Sequence, residues 1–369
     1  MKISTHSLKL FLPLTIISLT LFFSSCGDIK KPATGEEDEI TVVADSSEYW
    51  DLEADLLQVF GKIVLTPQEE ALFHLKRASV NKLESVKSKK NILIIAPLNS
   101  GSYTSRYINS ILDSTVTHLV QTDSVFMITR RDLWAANQLV MILTAPTMEK
   151  LKKRMLEDHE NLLYQFKHIS DQRLYQNIYN EKYEQKKVEA QLLKDYGWMI
   201  YVQADYFIAK NDSASNFVWM RRAPGTELER WVFIHWIDNA SPAWLRSDSI
   251  SAIRNRMTKK FYRSMDNKSW VEVNDAYKAV SEVNFNGKYA IATESLWKMS
   301  DESMGGPYVN YTFYDENTRR LYMLDGSVFA PKYYKKKLIQ QLDVTLHSFL
   351  TDKEINKERK EDLMDALKE

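Results

Sequence analysis

This sequence has little that closes covalent rings or binds metal. Its 369 residues include one cysteine, Cys26, so an internal disulfide and a cysteine-built zinc site are both excluded. Ten glycines and nine prolines are too few for collagen-like or linker-rich architectures. Neither sign of charge dominates, with 49 basic and 49 acidic side chains, so nothing in the balance attracts a nucleic acid and none is expected as a partner. The seven histidines (6, 74, 118, 159, 168, 235 and 347) never fall in a His-x-x-x-His or His-Glu-x-x-His spacing, and no metal site is expected. A Gly-x-Ser-x-Gly elbow, a phosphate-binding glycine loop and a dinucleotide fingerprint are all missing, so no cofactor is expected.

What is present begins with an address. Lys2 and Lys9 precede an apolar run, Leu10 to Phe23, which is shorter than the roughly 20 residues a membrane span needs. Small residues then lead into the lone cysteine. Phe23-Ser24-Ser25-Cys26 resembles a bacterial lipobox, with Phe23 where an aliphatic residue is usual. The expectation is a lipoprotein signal peptide at 1–25 and lipidation of Cys26, a thioether plus an amide-linked chain such as palmitate. Several acyl chains anchor durably where one does not. The lipid would occupy the only thiol, leaving none for catalysis. Removing residues 1–25 takes two lysines and no acid, which leaves two more acids than bases. Residues 26–39 (CGDIKKPATGEEDE) show no apolar periodicity and are expected to form a flexible tether. Asp28 alone, followed by Lys30-Lys31, is a poor match to the acidic cluster of surface-exported lipoproteins of the Bacteroidetes type. The expected location is therefore the periplasmic face of the cell outer membrane.

The composition, 44% hydrophobic and 12% aromatic, suffices for a packed body. Ile40–Ala44 and the nearly all-apolar Asn91–Pro97 predict strands, and Asp51–Ile63 a helix. A further helix is expected to carry Tyr107, Ile111, Thr115 and Leu119 on one face. A strand–strand–proline–helix unit then occurs three times. Its strand pairs are 125–128 with 139–143, 217–220 with 231–237, and 308–314 with 320–329; Pro146, Pro242 and Pro331 precede the helices. A charged helical arm is expected over 148–196, broken near His168–Asp171 with Ser170 as a cap, and closed by Gly197. The predicted class is α+β, two lobes of antiparallel β-hairpins packed with amphipathic helices. The predicted domains are an N-terminal lobe (40–170), a helical connector (171–196), a C-terminal lobe (197–352) and a charged, solvated tail (353–369).

For chemistry the densest segment is Leu296–Tyr308. Gly305-Gly306-Pro307 permits close backbone approach. Asp301 and Glu302 beside Trp297 and Tyr308 form a candidate binding lip, against the alternative of a strand connection with its aromatics in the core. Trp219 and Arg221 are candidates of the same kind for glycan or peptide, though their near-alternation fits a strand with one buried face. Four Asp-Ser triplets that end in an aliphatic residue or Thr place Ser114, Ser124, Ser213 and Ser249 in a pattern resembling the acceptor of periplasmic O-glycosylation in Bacteroidetes. Ser249 equally suits a helix cap.

Together these residues resemble a domain-of-unknown-function family of Bacteroidetes lipoproteins over roughly residues 40–350. The resemblance rests on Ile40–Val43 leading to Trp50, Leu65-Thr66-Pro67-Gln68-Glu69-Glu70-Ala71-Leu72-Phe73, Lys90–Leu93, Phe217–Arg221, and Trp297…Met304-Gly305-Gly306-Pro307-Tyr308. Phe329-Ala330-Pro331 before a basic helix start completes it. Lys90 stands where Arg is expected, and Glu70-Ala71 where Glu-Pro is commoner. The resemblance implies an anchored envelope protein and supplies no activity or catalytic residue. The expected function is non-catalytic binding or scaffolding, with the membrane and an envelope protein or cell-wall component as partners. The rival is an envelope glycan hydrolase using paired carboxylates such as Asp301 and Glu302 with a distant acid.

Overall fold

The computed structural model describes residues 30–368. The expected signal peptide at 1–25, Cys26 and the first residues of the expected tether lie outside them. The first lobe runs through β1 (Glu39–Val43), α1 (Ser46–Phe60), the small hairpin β2 (Ile63–Val64) and β3 (Glu70–Ala71), β4 (His74–Ala78), α2 (Leu83–Val86) and β5 (Asn91–Ile95). It continues with α3 (Tyr103–Ile111), α4 (Ser114–Gln121), β6 (Met127–Arg131), β7 (Leu139–Leu143), α5 (Met148–Glu157) and α6 (His159–Ile178).

Its sheet has the order β4-β1-β5-β7-β6. β5 is buried along its whole length, as its unbroken apolar run dictates. Leu93 and Ile95 face Leu52, Leu56 and Phe166 of α1 and α6, while Ile92 and Ile94 face Ile108 and Val120 of α3 and α4. Antiparallel hairpins were expected throughout, but within this five-stranded sheet only β6 and β7 pair that way; β1 with β4, β1 with β5 and β5 with β7 are parallel. The crossovers between them are long enough to return each strand in the same direction, and burial of both faces follows.

The second lobe comprises α7 (Lys186–Tyr196), β8 (Trp198–Met199), β9 (Tyr206–Asp212), β10 (Phe217–Arg222), β11 (Glu229–Asp238), α8 (Ser247–Phe261) and β12 (Val271–Phe285). β13 (Lys288–Met299), β14 (Gly305–Asp315), β15 (Arg320–Phe329), α9 (Lys336–Leu346), β16 (Leu350–Thr351) and α10 (Lys357–Ala366) follow. Its antiparallel sheet has the order β12-β13-β14-β15-β11-β10-β9. One face packs Val309, Phe313 and Leu324 on Leu342 and Leu346 of α9. The other packs Phe233, Trp297 and Met323 on Ile250, Ile253 and Met257 of α8. The molecule is of the α+β class. Each of the three predicted strand pairs forms an antiparallel pair followed by its helix.

Local departures have local causes. The face expected from Tyr107 to Leu119 is split, because Asp113 accepts the N–H of Val116 at 2.8 Å and starts a new helix. α6 runs unbroken through His168–Asp171, with Ile169, Ser170 and Arg173 buried against the first lobe. The arm breaks instead at Asp158 and between Tyr179 and Gln185, and Gly197 ends α7 at φ +76°. The predicted solvated tail is a docked helix: Leu363 is buried, and Arg359 of α10 pairs with Glu184 and, at 2.8 Å, with Glu189.

Residues 30–39 form no loose tether but a strap fixed to the first lobe. Ala33 and Thr34 donate N–H groups to Ala136 and Ser88 at 2.8 and 2.7 Å, and Ala136 and Lys90 donate back to Lys31 and Thr34. Glu37 is held by Arg173 and Lys90. A polar composition lacks periodicity, yet its backbone is paired.

The lobes are joined by two of the segments behind the family resemblance. Glu70 accepts the N–H groups of Lys335 and Lys336 at 2.8 and 2.9 Å, capping α9 from the other lobe. Gln68 accepts from Lys335 Nζ at 2.7 Å, and Lys336 pairs with Asp38 at 2.7 Å. Among the described residues no helix is long and apolar enough to cross a membrane.

Candidate functional site: the cleft between the lobes

The candidate lip near Leu296–Tyr308 does not assemble. Trp297 and Tyr308 are buried, with Trp297 Nε1 donating to the carbonyl of Val328 at 3.1 Å and Tyr308 lying under the Arg254 guanidinium at 3.6 Å. Asp301 and Glu302 are exposed in the β13–β14 turn, where Asp301 accepts from Ser303 and Glu302 pairs with Lys298. Gly306 is required for packing. A Cβ there would lie 2.1 Å from the Val328 carbonyl and 3.1 Å from the Trp297 indole nitrogen. A Cβ on Gly305 would meet the Trp297 carbonyl at 2.9 Å. Trp219 stacks on Tyr262, and Arg221 pairs with Glu229 at 2.6 Å while covering Trp219. These residues serve the strand connection and the α8-side core.

The four candidate serines sit at turns and helix starts. Ser114 follows the Asp113 cap, Ser213 follows Asp212, which accepts from Ser215 N at 2.9 Å, and Ser249 is half-buried in the first turn of α8. Ser124 is exposed beside Asp123, whose φ is +60°. Capping by aspartate accounts for two of the triplets without further assumption.

Another set of residues converges where α6, α9 and the β12–β14 face meet. The helical period of α6 turns Leu162, Phe166 and Ile169 into the first lobe and leaves Tyr164, Lys167, His168, Asp171 and Tyr175 on the opposite stripe. β-alternation places Ser281, Ala292, Glu294 and Tyr311 on the facing sheet surface, and α9 adds Asp343 and, at its C-cap, His347. The cleft, open to solvent on one side, has a volume of about 940 Å³.

Its charges are linked. Lys167 Nζ lies 2.7 Å from Asp171 and 3.3 Å from Asp343. Tyr311 donates to Asp343 at 2.5 Å, and His347 Nδ1 is 3.4 Å from the same carboxylate. Burial disfavours the Asp343 charge, but Lys167, His347 and Tyr311 together hold its carboxyl well below the usual range. Burial opposes the Lys167 ammonium, and the charges of Asp343 and Asp171 outweigh it, so its pKa rises. Burial raises Asp171, and Lys167 does not fully offset this.

Glu294 differs. It is open to solvent and makes no hydrogen bond or ion pair among the described residues, yet its concave surroundings and the Asp343 charge raise its pKa. The rims carry exposed Tyr164, stacked on His168, and exposed Tyr175, stacked on Tyr179. Between them stand the carboxamides of Gln172, Gln176, Asn284 and Asn286. Of these cleft residues sequence reading had singled out only His168, Asp171 and His347, and none of them as a ligand site. The 3.6-residue stripe of polar and aromatic residues on α6 was the available signal.

Residues 33–179 match a family model described as a domain of unknown function (DUF8532), and residues 184–348 match a second one so described (DUF4837). The two matches meet at the turn that separates α6 from α7, so the cleft draws residues from both. No curated protein matches the chain.

Proposed function

We propose that this is a lipid-anchored envelope protein at the periplasmic face of the outer membrane that binds, without turning over, a hydroxyl- and amide-bearing envelope ligand in the inter-lobe cleft. The Cys26 signal supports the anchor. The cleft supports the ligand class: tyrosine faces on the rim offer amphipathic platforms, and although Gln172 is tied to Arg131 and His168, the carboxamide of Gln176, the amide N–H groups of Asn284 and the carbonyl of Asn286 are left for a ligand. A cell-wall glycan has that chemistry.

One observation carries the non-catalytic reading. Asp343 is committed to three donors and Asp171 to Lys167, so Glu294 is the cleft carboxyl without a partner. Either glycosidase geometry needs two working carboxyls. The hydrolase reading is favoured by a different fact, that Glu294 is raised while Asp343 is depressed, the separation an acid and a base require.

Co-sedimentation of the mature protein with purified cell-wall sacculi separates the two. Binding that is lost in Asn284→Ala/Gln176→Ala, with no release of reducing ends, supports the binding reading. Release of reducing ends that stops in Glu294→Gln overturns it.

A further inference from the structure

We infer that one face of the first lobe lies directly on the bilayer: the strap around Lys30–Thr34 with the Ser88–Lys89 and Leu133–Ala136 turns. This rests on the proposed lipid anchor at Cys26 and goes beyond it, because an anchor alone leaves orientation free. Orientation follows from chain length. The strap is pinned by four backbone hydrogen bonds and by Glu37 on Arg173, so the body is fixed from its first described residues onward. Lys30 is itself tied to the carbonyls of Asp132 and Leu133. From Cys26 to Lys30 is four peptide steps, at most about 14 Å when fully extended. A headgroup layer occupies roughly 5–8 Å of that. The body therefore has no room to turn another face to the membrane.

The chemistry of the face fits phospholipid headgroups. Lys30 and Lys31 are exposed, and Lys87 and Lys89 stand beside them at half exposure. Lys87 Nζ lies 5.3 Å from the Trp134 ring centre, and Leu133 is exposed next to it. Lysines, a tryptophan and an exposed leucine are side chains that settle at a bilayer interface. Glu84 is paired with Lys87 and Glu36 with Lys337, which leaves Asp132 and, just before the strap in sequence, Asp28 against Lys30, Lys31 and Lys89, a surplus of one positive charge. This local surplus contrasts with the slightly acidic mature chain. At such distances, within about one Debye length, anionic headgroups attract it. The parallel strands β1, β5 and β7 begin at this end, so the inferred orientation follows from the N-terminal edge of the sheet.

The test couples residues 26–369 through the Cys26 thiol to a maleimide lipid in vesicles of phosphatidylcholine with about one-fifth phosphatidylglycerol. A photocrosslinking benzoylphenylalanine is placed at position 133 or, in the second lobe, at exposed position 277. Lipid crosslinking several-fold stronger from 133 than from 277 is expected. An insertion of about twelve Gly/Ser residues after Asp28, combined with Lys30→Glu and Lys89→Glu, should abolish the preference. Equal crosslinking from both positions in the parent, or a preference that persists in the combined variant, overturns the inference. The lipid is attached in vitro, so the outcome does not depend on lipidation in cells. That reading is tested separately by the mass and membrane fractionation of the Cys26→Ser chain.

Discussion

The Glu70 carboxylate of the first lobe accepts the backbone N–H of Lys336 at 2.9 Å and so closes the N-terminus of a helix in the second lobe. The other oxygen accepts from Lys335 N at 2.8 Å, and Glu70 is buried. Capping from another lobe means that the helix and the inter-lobe contact form together. Glu70→Ala is expected to cost about 2 kcal/mol, the range for a lost charge-assisted cap. Calorimetry should show a transition lowered by a few degrees. Glu70→Gln, which keeps one acceptor, should retain part of the loss.

Arg254 and Asp325 form an ion pair with both side chains sealed from solvent, at 2.7 Å. Asn310 and Ser327 complete the polar cluster within the core. Removing one partner strands the other charge, so Arg254→Met is expected to cost about 3–5 kcal/mol. Arg254→Met with Asp325→Leu should cost less than the single change. Urea midpoints of the three chains measure this directly.

Gly306→Ala drives a methyl into the Val328 carbonyl, a contact that backbone cannot yield cheaply. A loss of at least about 2 kcal/mol is expected, without any change at the distant cleft. Tryptophan emission should also shift, because Trp297 borders the same contact.

Much of the fold was visible from periodicity: the buried run Asn91–Ile95, the pairs β10–β11 and β14–β15, and the helices following Pro146, Pro242 and Pro331. Parallel pairing in the first lobe was not visible, because an all-apolar strand carries no period to fix its neighbours. The strap was missed since its bonds use backbone groups, which polar side chains such as Lys31 and Thr34 do not advertise. The cleft was missed for another reason. Lys167, Glu294 and Asp343 are far apart in sequence, and only the packing of α6 and α9 beside the β13 face brings them together. The glycine–tryptophan motif, by contrast, was conspicuous for reasons of packing.

The cleft gives stability a defined pH dependence. Burial disfavours charge on His347, but the hydrogen bond and charge of Asp343 outweigh this and raise its pKa. Its stabilising share is complete below about pH 6.5, the unfolded value, and is lost as pH rises through the higher folded value. Asp343, depressed, contributes above about pH 3.9 and loses its share as pH falls. His347→Gln should therefore lower the melting temperature more at pH 5.5 than at pH 9.

Glu294 has the opposite sign. Its raised pKa means that the folded protein resists its ionisation, so the penalty grows as pH rises above the unfolded glutamate value. Glu294→Gln should raise the melting temperature at pH 7.5 and leave it nearly unchanged at pH 4. Equal effects at both values would mean that Glu294 feels no such environment.

The most direct measurement is hydrogen exchange of residues 26–369 with and without solubilised cell-wall fragments. Slower exchange confined to the Tyr164–Gln176 and Ser281–Glu294 segments, with the fragments recovered intact, is the predicted result. Unchanged exchange in both segments, or fragments recovered cleaved, would contradict the cleft as a binding site that does no chemistry.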